Sequence, residues 1–293
     1  METIYFSLNN MPVKNEGLSL ALGNFDGVHR GHQRLFVETS LNSSRDAAAL
    51  FFDEPFLSGP YLSSLDDKLR HALSSRLDAL YVLQDAKSIY SLTPEEFIEK
   101  ILLPLGTRRV VVGEDFRFGR GGVGDADTLR RYFDVDVVPL LLENGEKVSS
   151  TAAKHYLSLG DIEKTTSLLG RPYEISGVVG EGFHNGAKIG YPTANIHSDF
   201  PYVLPRPGVY AGVIYLSGKA YRAMINVGLN PTVGALSKPL VEVHVLDYEE
   251  DCYGKKAYVG FLAYVREEKK FASLDELGKQ LREDERRIRD ILA

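Results

Sequence analysis

The sequence predicts two domains of different class, a doubly wound α/β domain followed by a small antiparallel β-barrel with a closing helix. The first half alternates short apolar strands with helical patterns, as in "LSLAL" followed by "HRGHQRLFVETSL". The last third carries strand-like segments of period two with turn residues between them. Two short helical segments, each ended by a glycine, separate the strand–helix pattern from the period-two pattern. We therefore predict domains at residues 1–170 and 171–293.

The amino-acid composition limits the classes of protein to which this chain can belong. The chain has 293 residues, 44% of them hydrophobic and 25% charged, which is typical of globular proteins. Its formal net charge is −6 and the one basic cluster is "ERRIR", so nucleic acid is not an expected partner. No apolar run approaches the roughly 20 residues that cross a bilayer, and no signal-peptide pattern is present, so we expect a cytoplasmic protein with no membrane partner. The single cysteine excludes an internal disulfide framework, and the oligomeric state stays open.

The pattern of the first domain predicts four strands that alternate with three helices. Strands are predicted in "LSLALGNF", "DAAALFF", "DALYVL" and "RRVVVGEDF", with helices in "HRGHQRLFVETSL", "DDKLRHALSSRL" and "TPEEFIEKILLPL". The last helix has a clear start, because Thr93 can cap it, Pro94 suits its first turn and Glu96 completes a capping box. Glycines cluster after the first and fourth strands, where a doubly wound sheet binds its ligands.

The second domain reads as a meander. Strands are predicted in "YEISGVVGEG", "GVYAGVIYL", "KAYRAMINVG", "LVEVHVLDY" and "KAYVGFLAYV". Ser217-Gly218 is a plausible hairpin turn between the second and third of these. The closing helix "SLDELGKQLREDERRIRDIL" begins with a capping box of Ser273 and Glu276. A meander of this kind indicates a small antiparallel barrel.

The motif "GNFDGVHRGHQ" follows the first predicted strand and leads into a helix. Backbone amides and the helix dipole at such a turn favour a phosphate group. His29 and His32 lie three residues apart, close to one helical face, and could donate hydrogen bonds to a phosphoryl group during in-line displacement. The motif alone is equally compatible with a "DG" turn that carries two surface histidines. Zinc is disfavoured, since no cysteine or third histidine comes at ligand spacing.

A second polar cluster, "VSSTAAKH", crowds three hydroxyls at the start of a helix. Any one of Ser149, Ser150 and Thr151 could serve as the N-cap. Three in a row, with Lys154 one turn further on, could also hold a triphosphate.

Motifs along nearly the whole chain resemble those of one family. "GNFDGVHRGHQ", "LTPEEF", "VVVGEDFRFG" and "VSST" resemble the adenylyltransferase half of bacterial bifunctional riboflavin kinase/FAD synthetases. "GYPTANI", "GVYAG", "NVGLNPTVG", "VEVHVLDY", "DCYGK" and "REEKKFASLDEL" closely resemble the riboflavin kinase half, and this second set is highly specific.

For the first half, the resemblance implies a Rossmann-like nucleotidyltransferase domain in which His29 and His32 stabilise the transferring group. The nucleotide-binding residues that it implies here are Gly23, Phe25, Asp26, Gly27, Gly31, Asp115, Ser149, Ser150, Thr151 and Lys154.

For the second half, the resemblance implies that Thr193 and Asn195 of "PTAN" bind a Mg²⁺ that also bridges ATP phosphates, a role that suits hard oxygen ligands. Glu242 alternates with Val241 and Val243 on a strand, so it points away from the face that the valines use. A carboxylate aimed into a cleft can accept the proton of the ribityl 5′-hydroxyl, which makes Glu242 the candidate base.

Two further segments complete the implied kinase site. "GEGFHNGAKIG" resembles the flap over the nucleotide phosphates, and "REEKKF" resembles the family's flavin-side segment, although Arg266 could equally belong to a surface ion pair. The implied residues are Gly180, Gly186, Lys188 and Gly190 for the nucleotide, and Arg266, Glu268 and Phe271 for the flavin.

The first half departs from the family pattern in two places. The family has Phe-x-Pro-His-Pro after the second strand, whereas this chain has "FFDEPFLSGP" with Pro55 and no histidine. The family follows Ser-Ser-Thr with x-Ile-Arg, whereas this chain has Lys154, which lacks the planar guanidinium that can bind two phosphate oxygens at once. We expect FMN adenylylation to persist with weaker ATP binding.

The second half departs from the family pattern at the flap, where the family arginine is replaced by His184, Asn185 and a displaced Lys188.

The sequence thus predicts an enzyme that phosphorylates riboflavin to FMN in its second domain and adenylylates FMN to FAD in its first, using ATP and Mg²⁺ in both steps. One alternative is a single-activity riboflavin kinase with an impaired adenylyltransferase domain. The other is a flavin- or nucleotide-sensing protein without catalysis, against which the combination of a base with a metal site counts.

Overall fold

The structure is a computed structural model that describes residues 1–14, 17–41, 46–53, 59–180, 190–229 and 239–293, with backbone alone at positions 229 and 239. The chain divides into two compact units. The first consists of Met1–Gly59 and Ser63–Ser150, and the second of Pro60–Leu62 and Thr151–Ala293.

The first unit is built on one parallel sheet of six strands. These are β1 (Glu2–Phe6), β2 (Leu18–Leu22), β3 (Ala47–Phe52), β4 (Ala79–Leu83), β5 (Thr107–Gly113) and β6 (Asp134–Val138). Their order across the sheet is β1-β4-β3-β2-β5-β6, and every neighbouring pair is parallel. Strands β2 and β4 are buried along their whole length, because apolar clusters cover both faces of the sheet. The predicted doubly wound class is confirmed.

Helices connect these strands, and the predicted helices are present. They are α1 (Arg30–Leu41), α2 (Leu65–Ala72) and α3 (Pro94–Phe97), which continues as a π-helical turn over Ile98–Leu102. A further short helix, α4 (Ala126–Arg130), was not predicted. The capping box at α3 is confirmed, since the Thr93 hydroxyl accepts from the Glu96 amide at 3.2 Å and the Glu96 carboxylate accepts from the Thr93 amide at 3.0 Å. The two edge strands, β1 and β6, were not predicted, because each is short and half-exposed and carries no continuous apolar run.

The order of the strands places two loops side by side. From β2 the chain moves toward β3 on one side, and β5 lies against β2 on the other. The loops that leave the carboxyl ends of β2 and β5 therefore diverge at a switch point, which is where an open α/β sheet forms a crevice for ligands.

The second unit is a closed antiparallel barrel. Its strands are β9 (Tyr173–Gly180), β10 (Ala194–His197), β11 (Gly208–Leu216), β12 (Lys219–Leu229), β13 (Pro239–Val245) and β14 (Lys256–Arg266), in the order β10-β13-β12-β11-β14-β9. Pairing of β9 with β10 closes it. The predicted hairpin turn joins β11 to β12 with Ser217 at φ +49° and Gly218 at φ +80°, the two positive values that a type I′ turn needs. The barrel and its closing helix are confirmed.

The closing helix is α7 (Leu274–Ile291). The Ser273 hydroxyl accepts from the Glu276 amide at 3.2 Å, as predicted. The reciprocal bond differs from a capping box, because the Glu276 carboxylate accepts from the amide of Ala272 at 3.1 Å. Ile288 of α7 is fully buried against outward-facing barrel residues such as Met224 and Val265.

The division by packing differs from the predicted boundary at residue 170. Helices α5 (Ser150–Leu159) and α6 (Ile162–Leu169) belong to the second unit, apart from the first residue of α5. Helix α6 packs on β14 and β9, and the Leu157 carbonyl accepts from the Arg206 amide at 2.9 Å. Gly160 and Gly170 end the two helices with positive φ, as the sequence predicts. A local stop signal shows where a helix ends but not which domain it packs against.

Candidate functional sites

The loop after β2 has a strained backbone. Phe25, Gly27 and Val28 have φ values of +53°, +76° and +40°. A β-branched residue with positive φ is an outlier, and such strain persists only where the surroundings hold it. A Cβ at Gly23 would lie 2.8 Å from the Phe25 ring, so the entry to the loop requires glycine.

Hydrogen bonds from three directions hold this loop. The Ser63 hydroxyl accepts from the Gly27 amide at 2.7 Å, and the Asp26 carboxylate accepts from the Ser63 amide at 3.2 Å. The Ser150 hydroxyl donates to the Asp26 carbonyl at 2.7 Å, and the buried Lys68 ammonium donates to the Asn24 carbonyl at 2.9 Å. The loop is therefore pre-organised rather than adaptable.

The two histidines of the loop form a stack. The ring centroids of His29 and His32 lie 3.6 Å apart with the planes 19° from parallel, and His29 is buried. The Phe25 ring meets His32 edge-on with centroids 5.2 Å apart. A Cβ at Gly31 would lie 3.1 Å from the His29 ring, so glycine leaves room for it at the start of α1. The structure brings eight of the predicted nucleotide-site residues together: Gly23, Phe25, Asp26, Gly27, His29, Gly31, His32 and Ser150.

A pocket of about 510 Å³ opens beside this loop. We call it the sheet pocket. Aromatic side chains dominate its wall, and Arg117 is its one charged lining residue in the described part of the chain. Its lining includes Gly23, Asn24, Phe52, Tyr90, Phe97, Phe116, Arg117 and Phe118. An apolar, aromatic cavity of this size suits a planar ligand beside a phosphate loop.

A short hairpin of β7 (Leu142–Glu143) and β8 (Glu146–Lys147) ties the two ligand loops together. Glu143 pairs with Arg30 at the start of α1, and Lys147 pairs with Asp115 in the loop after β5. Asp115 thus lies in the loop after β5, and its carboxylate is paired with Lys147, a residue that belongs to no motif in the sequence analysis.

Of the other predicted residues in this segment, Ser149 belongs to the first unit, whereas Thr151 and Lys154 belong to the second. Thr151 is exposed in the first turn of α5. The Lys154 ammonium donates to the Pro60 carbonyl at 3.0 Å and lies 5.5 Å from the centroid of the Tyr61 ring. Tyr61 itself forms a β-bridge with Tyr202.

The barrel carries a second pocket, of about 350 Å³, on its outer face beneath α7. We call it the barrel pocket. It is lined by residues from six segments of the chain between residues 191 and 281, and five of the predicted residues line it: Thr193, Glu242, Arg266, Glu268 and Phe271. A further cavity of about 320 Å³ is lined by Thr193 together with Cys252 and its neighbours, so Thr193 lies at the wall of both.

Three polar side chains stand in a row across adjacent strands. Asn195 of β10 and Asn226 of β12 are each the register partner of Glu242 on β13, so all three project from the same face. The Asn226 amide donates to the Glu242 carboxylate at 3.4 Å. Asn195 is 2% exposed, and none of the described residues donates a hydrogen bond to its Oδ1. A buried oxygen of this kind requires an electropositive partner.

Arg266 is held by the closing helix. Its Nε lies 2.9 Å from both carboxylate oxygens of Asp284, and its Nη2 lies 2.6 Å from Oδ2. Its Nη1 donates to the Glu267 carbonyl at 2.8 Å, and the guanidinium lies 5.9 Å from the centroid of the Phe271 ring. Most of the hydrogen-bond donors of the Arg266 guanidinium therefore take part in contacts that order the segment that carries Glu268 and Phe271.

The flap is only partly within the described residues. Gly180 ends β9 as the register partner of Asn195, and Gly190 has φ +86°. A Cβ at Gly180 would collide with the His197 ring. Gly186 and Lys188 lie outside the described residues.

Several residues at these sites were not predicted from the sequence. Ser63, Lys68, Asn226, His244 and Asp284 belong to no predicted site. The period-two pattern of β12 and β13 could have found Asn226, because it places that residue on the outward face. Ser63, Lys68 and Asp284 carry no local signal, since their role depends on elements far away in the chain.

A family model described as FAD synthetase matches residues 11–152, and one described as riboflavin kinase matches residues 169–292. A bifunctional riboflavin kinase/FMN adenylyltransferase of Escherichia coli strain K12 is 35% identical over 94% of this chain and 93% of its own. The chain belongs to the bifunctional riboflavin kinase/FMN adenylyltransferase family.

Two further relatives carry the same name, bifunctional riboflavin kinase/FMN adenylyltransferase. Those of Listeria monocytogenes and Bacillus subtilis are 32% and 30% identical, covering 94% and 97% of this chain and 92% and 96% of their own.

A solved structure titled as a macrolide-efflux protein from Streptococcus pneumoniae superposes with a TM-score of 0.87, at 29% identity over 98% of both chains. Among the described residues of this family member, no helix is both long and apolar enough to cross a membrane.

Proposed function

We propose that this chain makes FAD in two steps. The barrel unit transfers the γ-phosphate of ATP to riboflavin, which gives FMN, and the sheet unit transfers AMP from a second ATP to FMN, which gives FAD and pyrophosphate. Both family models and the names of the full-length relatives support this reading.

One observation carries the kinase assignment: Thr193 lies at the wall of two cavities, and Glu242 lines one of them. Phosphoryl transfer needs two ligands that meet at one point, and Thr193 marks that point. Riboflavin would occupy the barrel pocket, against Phe271 and Glu268, and the nucleotide would occupy the cavity beside Cys252.

Glu242 is the proposed base of the first step. Its carboxylate accepts the proton of the ribityl 5′-hydroxyl as that oxygen forms a bond to the γ-phosphorus and the bond to the β,γ-bridging oxygen breaks. Asn226 restrains one carboxylate oxygen of Glu242, which leaves the other for the substrate. ADP leaves with the bridging oxygen.

The residues at "PTAN" fit a magnesium ion. Asn195 Oδ1 is a buried oxygen that no described residue satisfies, and the Thr193 hydroxyl is two positions away along the same segment. Neutral oxygen ligands together with phosphate oxygens are what Mg²⁺ prefers. When bound, the ion supplies charge neutralisation at the phosphates.

The sheet unit would carry the second step. The FMN phosphate attacks the α-phosphorus of ATP, and the bond to the bridging oxygen breaks to release pyrophosphate. The stacked His29 and His32 donate hydrogen bonds to the phosphate oxygens as charge develops, and amides of the strained loop hold the remainder of the triphosphate. The sheet pocket would receive the flavin ring against Phe116 and Phe118.

The deciding experiment is incubation of the purified chain with riboflavin, ATP and Mg²⁺, followed by chromatography of the flavins. FAD supports both steps. FMN without FAD supports a single-activity kinase, and the absence of both products contradicts the proposed function.

A further inference from the structure

His244 is a polar side chain of the barrel pocket with no role in the steps above. It follows Glu242 by two positions on β13, so both side chains project from the face opposite to the buried Val241, Val243 and Val245. Both line the barrel pocket together with Thr193.

The His244 ring contacts the segment that precedes Thr193. Its Nδ1 lies 2.8 Å from the carbonyl oxygen of Pro192. A carbonyl oxygen can only accept, so Nδ1 carries the proton and the bond runs from His244 to Pro192. That carbonyl belongs to the peptide group that ends at the Thr193 nitrogen, so the bond fixes the plane from which Thr193 projects.

The same segment has a second anchor. Tyr191 packs its ring against His244 with centroids 4.9 Å apart, and its hydroxyl donates to Glu285 of α7 at 2.9 Å. Burial, followed by the bond to Glu285, raises the pKa of Tyr191 to about 12, so the hydroxyl remains a donor at neutral pH. Glu285 is itself held by Arg289.

Residues 191–193 need these anchors because they lie outside any strand. Ladder pairing with β13 begins only at Ala194. Gly190 precedes them with φ +86°, a conformation that glycine enters and leaves at little cost. Side-chain contacts therefore determine where the Thr193 hydroxyl stands relative to Asn195.

We propose that His244 is a positioning residue of the kinase site: its Nδ1–H holds the Pro192 carbonyl so that Thr193 and Asn195 form a ready-made pair of oxygen ligands for the divalent cation of the nucleotide. The inference rests on the proposed assignment of these two residues to Mg²⁺. Groups that orient metal ligands typically contribute about 10- to 100-fold to metal affinity.

The test compares two substitutions of nearly equal size. In H244N the side-chain amide nitrogen stands close to where Nδ1 stood and keeps the donor, whereas H244L removes it. Calorimetric titration of each full-length protein with ADP and Mg²⁺, at saturating riboflavin, measures binding without turnover. The nucleotide site of the sheet unit is unchanged in all three proteins, so its contribution is common to them.

We expect H244L to bind the metal–nucleotide about 10- to 100-fold more weakly at one site than the unsubstituted protein, and H244N to recover most of that loss. In kinase assays, the KM for Mg·ATP should rise in H244L by a larger factor than the KM for riboflavin, whose proposed pocket His244 also lines. H244A serves as the donor-free variant if H244L does not fold.

Three results would overturn the inference: unchanged metal–nucleotide binding in H244L, no recovery in H244N, or a rise confined to the KM for riboflavin. Failure of the proposed function is distinguishable, because then the unsubstituted protein itself would make no FMN.

Discussion

Arg266 and Asp284 form a bidentate ion pair that joins the end of β14 to the closing helix, with Nε and Nη2 of Arg266 donating to both carboxylate oxygens of Asp284. The side chains are 13% and 3% exposed, and Gln280 donates a further hydrogen bond to Asp284 at 3.0 Å. The pair therefore holds the segment that carries Glu268 and Phe271, which we propose contacts the flavin, in a largely desolvated setting.

Removal of the acidic partner should be costly. D284A leaves a buried guanidinium without its carboxylate, which typically destabilises a protein by about 3–5 kcal/mol. We expect denaturant unfolding, followed by a probe in the barrel, to move to lower concentration and the KM for riboflavin to rise. D275A on the same helix breaks the exposed pair with Lys279 and serves as the control, with the unfolding midpoint unchanged. An unchanged midpoint in D284A would contradict this account of Arg266.

Substitution of the proposed base should separate the two activities. E242Q keeps the size of the side chain and its contact with Asn226 but cannot accept a proton. We expect FMN formation from riboflavin to fall by about 10²- to 10⁴-fold, which is the usual contribution of general base catalysis. FAD formation from supplied FMN should stay at the unsubstituted rate, measured on the same preparation. Equal loss of both products would show that Glu242 does not belong to the kinase step.

The histidine stack predicts the converse separation. H32A removes one of the two stacked rings that we propose contact the transferring group, and we expect FAD formation to fall by at least about 10²-fold, as for loss of a transition-state donor. FMN formation should be spared. H155A, a histidine exposed on α5, is the matched control and should leave both rates unchanged.

The space beside His29 offers a second test of that stack. A methyl group at Gly31 would lie 3.1 Å from the His29 ring, which is tighter than ordinary contact. We expect G31A to displace the ring and lower the rate of FAD formation, with the melting temperature nearly unchanged because alanine favours the helix. If G31A transferred AMP at the normal rate, the position of the His29 ring would not matter for the step.

Substitution of Lys154 by arginine tests whether the departure from the family pattern at this position weakens ATP binding. Its ammonium contacts the Pro60 carbonyl and the Tyr61 ring, and arginine at this position would offer a planar fork to phosphate oxygens. We expect K154R to lower the KM for ATP in FAD formation and to leave FMN formation unchanged. An unchanged KM would assign Lys154 to the structural contact with Pro60 alone.

Local signals in the sequence were sufficient for most of the architecture. Alternation of apolar strands with capped helices predicts the parallel sheet, and period two with turn residues predicts the barrel, because burial on one or two faces imposes those patterns. The phosphate-loop, "PTAN" and "VEVH" motifs likewise make His29, Thr193 and Glu242 candidate site residues, since each motif is contiguous. The edge strands β1 and β6 were not predicted, because a short, half-exposed strand has only a weak hydrophobic pattern.

Tertiary structure alone decided which distant residues support those motifs. Ser63 reaches the Gly27 amide, Asn226 reaches Glu242, Asp284 holds Arg266, and His244 holds the Pro192 carbonyl. It also placed α6 against the barrel. The physical reason is common to all: short-range periodicity records which face of an element is buried, whereas the partner across a cross-strand pair or a helix contact depends on the register and the strand order of the folded chain.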